Sequence, residues 1–216
     1  MPMGASLSHV LVVLWLMAIT AIGGGGAAAF AADGNGSAQS AAKSKGGNSL
    51  TLTITSTAFV QGHPIPKKFT GEGADVSPPL AWAGIPDGAK ELALICDDPD
   101  APTREPWVHW VLYKISVKTK GTPEGVSRRP RPKDPPGTAQ GKNSWPDGDT
   151  IGYRGPMPPP GHGVHHYYFK LYALDAEVDL EPGLPKNIVL EKIRGHVLAE
   201  GVLMGTYERR QGSANQ

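Results

Sequence analysis

Length, composition and charge exclude several classes of protein. The chain has 216 residues, with 21 Lys and Arg against 20 Asp and Glu and a formal net charge of +1. Because this balance gives no strongly basic surface, we expect no nucleic-acid partner. The single cysteine, Cys96, excludes an intramolecular disulfide, and its apolar neighbours predict a buried thiol.

The first 31 residues are predicted to be a signal peptide. An apolar run from Leu11 to Ile22 has signal-peptide length and is too short to span a bilayer comfortably. Ala29-Phe30-Ala31 fits the A-x-A pattern, which predicts cleavage after Ala31, with Ala32 as the next candidate, and export to the periplasm or the extracellular space. Cleavage would leave no transmembrane anchor. Because no Lys or Arg precedes the apolar run, an uncleaved anchor stays open.

The rest of the chain is predicted to form one domain between flexible ends. Residues 32–49 are rich in Gly, Ala, Ser and Lys without apolar periodicity, which is typical of a flexible leader. Residues 50–208 are enough for a single domain with a hydrophobic core. Residues 209–216 are expected to form a disordered tail.

Short apolar segments separated by turn residues predict strands. They alternate apolar with polar residues or are rich in β-branched and aromatic residues. These segments are Leu50–Thr55, Glu91–Cys96, Trp107–Ile115, Tyr167–Leu174 and Gly201–Glu208. Ser77-Pro78-Pro79-Leu80 predicts a turn, and Thr119–Asp149, full of Gly and Pro, predicts a long loop of the kind that is functional or disordered.

One helix is predicted, over Asn187–Glu200. Asn187 is a suitable N-cap, and Gly201 follows the end of the segment. The apolar face consists of Ile188, Ile193, Val197 and Leu198. Several strands and one late helix predict an all-β fold, a β-sandwich of two antiparallel sheets with one C-terminal helix.

Polar residues near two strand ends indicate a small pocket. Asp98 belongs to the run Asp98-Pro99-Asp100-Ala101-Pro102, which directly follows a strand, and its carboxylate could orient an imidazole or accept a hydrogen bond from a ligand amine. The same residue types also build ordinary turns. His109 lies two residues from Trp107 and two from Val111, and the period of a strand predicts these three side chains on one face.

The segment Gly152–Tyr167 adds histidines and a tyrosine at the start of a strand. Imidazoles and a phenol donate hydrogen bonds, and Gly-rich turns present backbone N–H groups, so the segment suits an anion. A metal is the rival ligand, held by Asp98 with His162, His165 and His166. Their spacing matches no standard zinc motif, so we expect no metal and no other cofactor.

Two motifs carry a family resemblance. They are Cys96-Asp97-Asp98-Pro99-Asp100-Ala101-Pro102 leading into Trp107-Val108-His109-Trp110, and Gly152-Tyr153-Arg154-Gly155-Pro156-Met157-Pro158-Pro159-Pro160-Gly161-His162-Gly163-Val164-His165-His166-Tyr167. Together they resemble the phosphatidylethanolamine-binding protein family, especially its bacterial Raf-kinase-inhibitor-like branch. The resemblance implies a β-sandwich with a helix near the C-terminus and a pocket for phosphate-like anions and phospholipid head groups. By motif matching, the pocket residues are Asp98, Ala101, His109, Gly155, Pro156, Pro158, His165 and Tyr167.

The motifs also suggest roles for individual residues. His109 and His165 would donate hydrogen bonds to the anion, and Tyr167 would add a hydroxyl. Asp98 would fix an imidazole tautomer or meet a cationic head-group amine.

The chain departs from the family pattern at three positions. Met157 stands where bacterial relatives often have Cys. His166 stands where Arg is common, and we expect it to point away from the pocket. Arg154 replaces a frequent glycine, and we expect a solvated side chain.

The leading interpretation is an exported, non-enzymatic protein that binds a phosphate-like anion or a phospholipid head group. Two alternatives stay open. One is an inhibitor or regulator of a partner protein, such as a kinase or a protease. The other is a hydrolase in which Asp98, His109 and His165 activate water, although no Ser or Cys sits in a recognisable nucleophile context. The sequence also leaves open a homodimer.

Overall fold

The structure, a computed structural model, describes residues 51–211. The predicted signal peptide, the predicted leader and residues 212–216 of the predicted tail lie outside the described residues. Arg209 lies inside them, and its carbonyl accepts a hydrogen bond from the Gly161 amide (2.8 Å). Between residues 51 and 211, no helix is both long and apolar enough to cross a membrane.

Two antiparallel sheets and one helix make up the domain, which confirms the predicted fold class. In chain order the strands are β1 (Thr53–Ser56), β2 (Leu80–Ala83), β3 (Glu91–Asp98), β4 (Trp107–Ser116), β5 (Gly121–Thr122), β6 (Ala139–Gln140), β7 (Val164–Leu174) and β8 (Val197–Glu208). The helix α1 (Lys186–Ile193) lies between β7 and β8 in the chain, and a short 3-10 helix occupies Lys67–Phe69. The small sheet has the strand order β1-β2-β5, and the large sheet has the order β6-β4-β3-β7-β8.

β3 is the central strand of the large sheet and is covered on both faces. All eight of its residues are buried. Leu94 packs into the core between the sheets, together with Trp82 of β2 and Phe169 of β7. Ile95 points to the other face, where it shares a second apolar cluster with Val189 of α1. Because both faces are buried, this segment is a continuous apolar run instead of an alternating one.

The predicted helix Asn187–Glu200 is wrong in its second half and in its cap. α1 ends at Ile193, Gly195 has a φ of +86°, and β8 begins at Val197. Glycine adopts a positive φ without the steric cost that other residues meet, and it therefore ends helices. Val197, expected on the buried face of the helix, is 42% exposed in β8. The N-cap is Pro185, and it makes no side-chain capping hydrogen bond.

The structure has three strands that the sequence did not indicate, one that starts at the end of the predicted turn and two inside the predicted long loop. β2 begins at Leu80, directly after two prolines, and β5 and β6 have two residues each. The long loop is also tied down by Arg128. Its guanidinium pairs with Asp75 (2.6 Å) and Asp149 (2.8 Å), and its Nε donates to the Tyr153 carbonyl (2.7 Å). The two-residue strands β5 and β6 are too short to show a periodicity, so only their long-range partners define them.

Glu91 provides a test of the packing at the first residue of β3. Its side chain is buried, and its Oε1 has no hydrogen-bond partner within the described part of the chain. Burial raises the pKa of Glu91 from 4.5 to about 7. Because the folded pKa lies above the unfolded value, the stabilisation by the neutral acid is complete below pH 4.5 and is lost as the pH rises through 7.

We therefore expect Glu91→Gln to unfold like the wild type at pH 4.5 and to be more stable by about 2 kcal/mol at pH 8. Urea unfolding at the two pH values measures the difference. Glu200→Gln is the matched control, since Glu200 is exposed on β8 and should leave the pH dependence unchanged. An equal effect of Glu91→Gln at both pH values would contradict the assignment.

Candidate functional site

A cavity of about 220 Å³ lies at one end of the large sheet. Asp98 ends β3 and pairs with Trp107, the first residue of β4, while Asp97 pairs with Tyr168 of β7. Antiparallel pairing therefore brings the end of β3 and the starts of β4 and β7 to the same edge. The residues that line the cavity are Asp98, Ala101, Pro102, Thr103, Trp107, His109, Trp145, Met157, Pro158, Pro159 and His165.

Five of the eight predicted pocket residues line this cavity, namely Asp98, Ala101, His109, Pro158 and His165. Gly155, Pro156 and Tyr167 lie behind its wall. The Gly155 amide donates to Asp75 Oδ1 (2.7 Å), and a Cβ added to Gly155 would lie 2.2 Å from the Phe69 carbonyl oxygen. The Pro156 carbonyl accepts a hydrogen bond from the Gly71 amide (2.9 Å). These residues hold the wall against the segment that follows the 3-10 helix.

Several lining residues were missed from the sequence. Trp107 could have been found, because it lies two residues before His109 on the same strand. Pro102 belongs to the first motif, and Met157 and Pro159 belong to the second. Trp145 carries no local signal, because it lies in the Gly- and Pro-rich loop and reaches the cavity only through tertiary structure.

A β-bulge sets the direction of the His109 side chain. Cys96 pairs with Trp110, whereas the next residue of β3, Asp97, pairs with Val108, so His109 is an extra residue in β4. The expectation that His109 and Val111 share a face is therefore wrong. Val111 packs in the cluster beneath α1, while the ring of His109 contacts Tyr167, which belongs to the core between the sheets. Bulges re-aim side chains in this way next to functional sites.

Asp98 and His165 form a buried pair at the cavity. They are 3% and 1% exposed, and His165 Nδ1 donates to Asp98 Oδ2 over 2.7 Å. Asp98 Oδ1 accepts a second hydrogen bond from the Asp100 amide (2.8 Å). Because a carboxylate only accepts hydrogen bonds, the contact places a proton on His165 Nδ1 and leaves Nε2 as the variable position. This contact is the one that the first of the two roles predicted for Asp98, fixing an imidazole tautomer, requires.

His162 occupies the free nitrogen of that imidazole. His162 Nδ1 lies 2.7 Å from His165 Nε2, so a single proton is shared between the two rings. His162 is exposed, and it stands between Gly161 and Gly163, whose φ angles are +74° and +89°. The result is a chain of hydrogen bonds from the surface through His165 to the buried Asp98.

His109 is held in the opposite chemical role to the one expected. Its Nδ1 lies 2.6 Å from the Arg154 carbonyl oxygen, which can only accept, so Nδ1 carries the proton. Burial lowers the pKa of His109 from 6.5 to about 4, against the opposing effects of the Arg154 hydrogen bond and the Asp98 charge. Near neutral pH the ring is uncharged, and its Nε2 accepts a hydrogen bond instead of donating one to an anion.

Tyr167 places a buried hydroxyl behind the pocket wall. Its ring meets the ring of His109 edge-on at a centroid distance of 5.0 Å. The hydroxyl is buried beside the Asp98 carboxylate. Burial and the nearby charge of Asp98 raise the pKa of Tyr167, so the phenol keeps its proton.

Two further residues of the second motif, His166 and Arg154, do not line the cavity. His166 points away from it, as expected, and its ring nitrogen and backbone amide both donate to Asp100 Oδ2 (2.7 and 2.8 Å). Burial raises the pKa of Asp100, but the hydrogen bonds from His166 outweigh it and lower the pKa below its usual value. Arg154 is not simply solvated, because its guanidinium lies 4.6 Å from the ring centroid of Trp145 and its Nε lies 3.8 Å from Asp75 Oδ2.

The four residues considered as metal ligands are hydrogen-bonded to one another or to Asp100. Among residues 51–211, no group of three or more His, Cys, Asp or Glu side chains is placed to hold a metal ion. His162 and His165 face one another through the nitrogens that would be needed for a metal.

The fold is that of a known family. A sequence model described as Phosphatidylethanolamine-binding protein matches residues 55–208. The chain therefore belongs to the phosphatidylethanolamine-binding protein family, and the resemblance found in the two motifs is confirmed.

Relatives and solved structures agree with this assignment. A UPF0098 protein from Methanothermobacter thermautotrophicus is 52% identical over 145 residues, which cover 67% of this chain and 91% of the relative. Another UPF0098 protein, from Chlamydia muridarum, is 43% identical over 159 residues, which cover 72% of this chain and 97% of the relative. The crystal structure of a putative family homologue from Chlamydia trachomatis, CT736, has a TM-score of 0.65 and 40% identity and covers 74% of this chain and 99% of its own. YbcL of E. coli has a TM-score of 0.67 and 30% identity, with coverage of 74% and 99%.

The protonation of His109 can be measured directly. We expect its ring proton resonances to titrate with a midpoint near pH 4, as followed by NMR, with Nδ1 protonated throughout. His109→Gln identifies the resonance by removing it. Because the folded pKa lies below the unfolded value of 6.5, the stabilisation is present above pH 6.5 and is lost as the pH falls toward 4. A midpoint of 6 or higher would show that the ring is not desolvated.

Proposed function

We propose that this protein binds a small ligand through a phosphate-like anion, either free or as part of a phospholipid head group, in the cavity beside His165. The observation that carries the proposal is the buried contact between His165 Nδ1 and Asp98 Oδ2. It holds Nδ1 on the carboxylate and turns Nε2 away from it, toward His162. When His165 is protonated, Nε2–H donates to an anion while Nδ1–H stays on Asp98, and such charge-assisted hydrogen bonds are about twice as strong as neutral ones.

The other histidine of the cavity narrows the chemistry of the ligand. Neutral His109 presents an acceptor at Nε2, so the ligand should carry a hydrogen-bond donor as well as an anionic oxygen. A singly protonated phosphate has both, since its P–OH donates and its remaining oxygens accept. An ethanolamine phosphate also has both.

The other interpretations of the sequence stay predictions. These are export, a homodimer and a protein partner. The hydrolase interpretation is weakened at one point, because His109 donates to a backbone carbonyl and does not form part of a chain with Asp98.

Calorimetric titration tests the proposed function. We expect the protein to bind inorganic phosphate and phosphoethanolamine saturably. His165→Ala should weaken both by at least about tenfold, since it removes the charge-assisted donor. His196→Ala is the matched control, because this exposed histidine is also bonded to an aspartate, Asp175 (2.8 Å), away from the cavity. Absence of saturable binding, or equal binding by His165→Ala, would refute the proposal.

A second prediction concerns His162, which occupies the nitrogen that the anion requires. Its ring must leave His165 Nε2 before an anion can accept from that atom, and the glycines on both sides allow the movement. We expect His162→Ala to bind inorganic phosphate about three- to tenfold more tightly, as loss of one competing hydrogen bond would give. His166→Ala is the control, since its ring bonds to Asp100 outside the cavity. Weaker binding by His162→Ala would show instead that His162 contacts the anion itself.

A further inference from the structure

The outer edge of β8 is covered over part of its length. β8 is the last strand of the large sheet, so only β7 is its neighbour within the sheet. In an antiparallel pair the N–H and C=O of one residue point to the same side of the strand, and successive residues alternate between the two sides. Met204 and Thr206 point these groups outward, and their carbonyls accept from the amides of Gly62 (2.8 Å) and Ile65 (2.7 Å). The segment before the 3-10 helix therefore closes this part of the edge.

The next part of the same edge is open. The pairing of β8 with β7 runs without a register shift from Ala199 to Glu208, so Glu200 and Val202 point their backbone groups to the same outer side as Met204. Among the described residues, none forms a backbone hydrogen bond with these outward groups. Val202 is 43% exposed. Natural proteins protect such edges with Lys, Pro or a covering segment, and residues 199–202 contain neither Lys nor Pro.

The small sheet also ends on this side of the sandwich. β1 is its first strand, and the Leu52 carbonyl oxygen lies 2.7 Å from the position that a Cβ on Gly201 of β8 would occupy. The Trp82 amide donates to the Lys120 carbonyl (2.9 Å), on the side of β5. Its cross-strand partner Ile54 therefore points its own backbone groups away from β2, and in residues 51–211 they have no backbone partner. Two open edges thus lie side by side.

We propose that this side of the sandwich is a self-association surface, at which the open edge of β8 pairs antiparallel with the same edge of a second copy of this chain. Glu200 of one copy would lie opposite Val202 of the other, about a two-fold axis next to Gly201. Each opposed pair exchanges both of its N–H···O bonds, and the symmetric contact contains this pair twice. The register uses only the open part of the edge, and it sets each Glu200 carboxylate opposite a valine instead of a second carboxylate.

A second copy fits this edge better than the chain that precedes Thr51. The described residues begin on the same side, because Leu52 lies beside Gly201. The preceding sequence is Gly46-Gly47-Asn48-Ser49-Leu50, and Gly and Asn are depleted in strands. A contact of this length buries less than the roughly 1,200 Å² of a stable interface, so we expect a weak dimer that depends on concentration.

The open edge is separate from the cavity. Val202 pairs with Lys170 in the middle of β7, whereas His165 at the cavity pairs with Tyr207 near the start of β7. Self-association should therefore leave phosphate binding unchanged, and its test does not depend on the proposed function.

Sedimentation velocity tests the surface on the purified full chain, over about a hundredfold range of concentration. We expect a monomer that converts into a dimer as the concentration rises. Val202→Lys should raise the dimer dissociation constant at least about tenfold, since it places a charge at the edge in both copies. Val202→Pro should do the same, because it removes an outward N–H without touching the hydrogen bonds to β7. Val164→Lys is the matched control, since Val164 is a 53% exposed valine of β7 that pairs with Glu208, away from the open edge.

Hydrogen exchange gives a second readout on the wild type. We expect the amides of Glu200 and Val202 to exchange more slowly at high concentration, while the Met204 amide, which donates to Gln61 Oε1 (2.8 Å), stays unchanged. A monomer at every concentration would overturn the proposal, and so would a dimer that neither Val202 variant weakens or that Val164→Lys weakens equally. Protection of the two amides in the monomer would overturn it too, and would show that the chain before Thr51 covers the edge. If Val202→Pro does not fold, Val202→Lys and the exchange measurement decide the question.

Discussion

The last two residues of β3 are buried carboxylates that point to opposite faces of the central strand, and the surrounding structure compensates each of them. Asp97 forms ion pairs with Lys170 of β7 (3.1 Å) and Lys186 of α1 (2.9 Å). Asp98 accepts hydrogen bonds from His165 Nδ1 and from the Asp100 amide. A buried charge without partners is costly, so these contacts constrain where the start of α1 and the start of β7 can lie. The pair at Asp98 is also the pair that opens on the cavity.

The three histidines near the cavity differ because their partners differ. His165 faces a carboxylate, His109 faces a carbonyl in a fully buried setting, and His162 is exposed and faces His165. The ring of His165 is therefore held by a carboxylate, the ring of His109 is kept neutral, and the ring of His162 competes for Nε2 of His165. This division pairs one donor with one acceptor, which is the arrangement that the proposed protonated oxyanion requires.

The long loop completes the site without regular structure. Arg128, within the loop, forms ion pairs with Asp75 and Asp149. Ser144, later in the loop, is hydrogen-bonded to β4 and holds that part of the loop at the cavity. Asp75 links the two sides of this arrangement, since it also accepts from the Gly155 amide and lies near Arg154. Asp75 therefore contacts both walls of the cavity. It bonds directly to the Gly- and Pro-rich motif, and it lies near Arg154, which packs on Trp145.

The fold class, the family and the main polar residues of the site could be predicted from the sequence by itself. Strand periodicity is local, and the two motifs place Asp98, His109 and His165 next to strand ends that antiparallel pairing brings together. The second half of the helix could not be predicted, because Val197 and Leu198 suit a helix face or a strand and only pairing with β7 decides between them.

Tertiary structure alone decided how the site residues act. The bulge at His109 arises from the register between β3 and β4, and the proton on its Nδ1 depends on a carbonyl 45 residues away. Trp145 enters the cavity through contacts with β4 that leave no pattern in the loop itself. The residue types come from local sequence, whereas burial, tautomer and direction depend on distant partners, because hydrogen bonds and desolvation act between groups that only folding brings together.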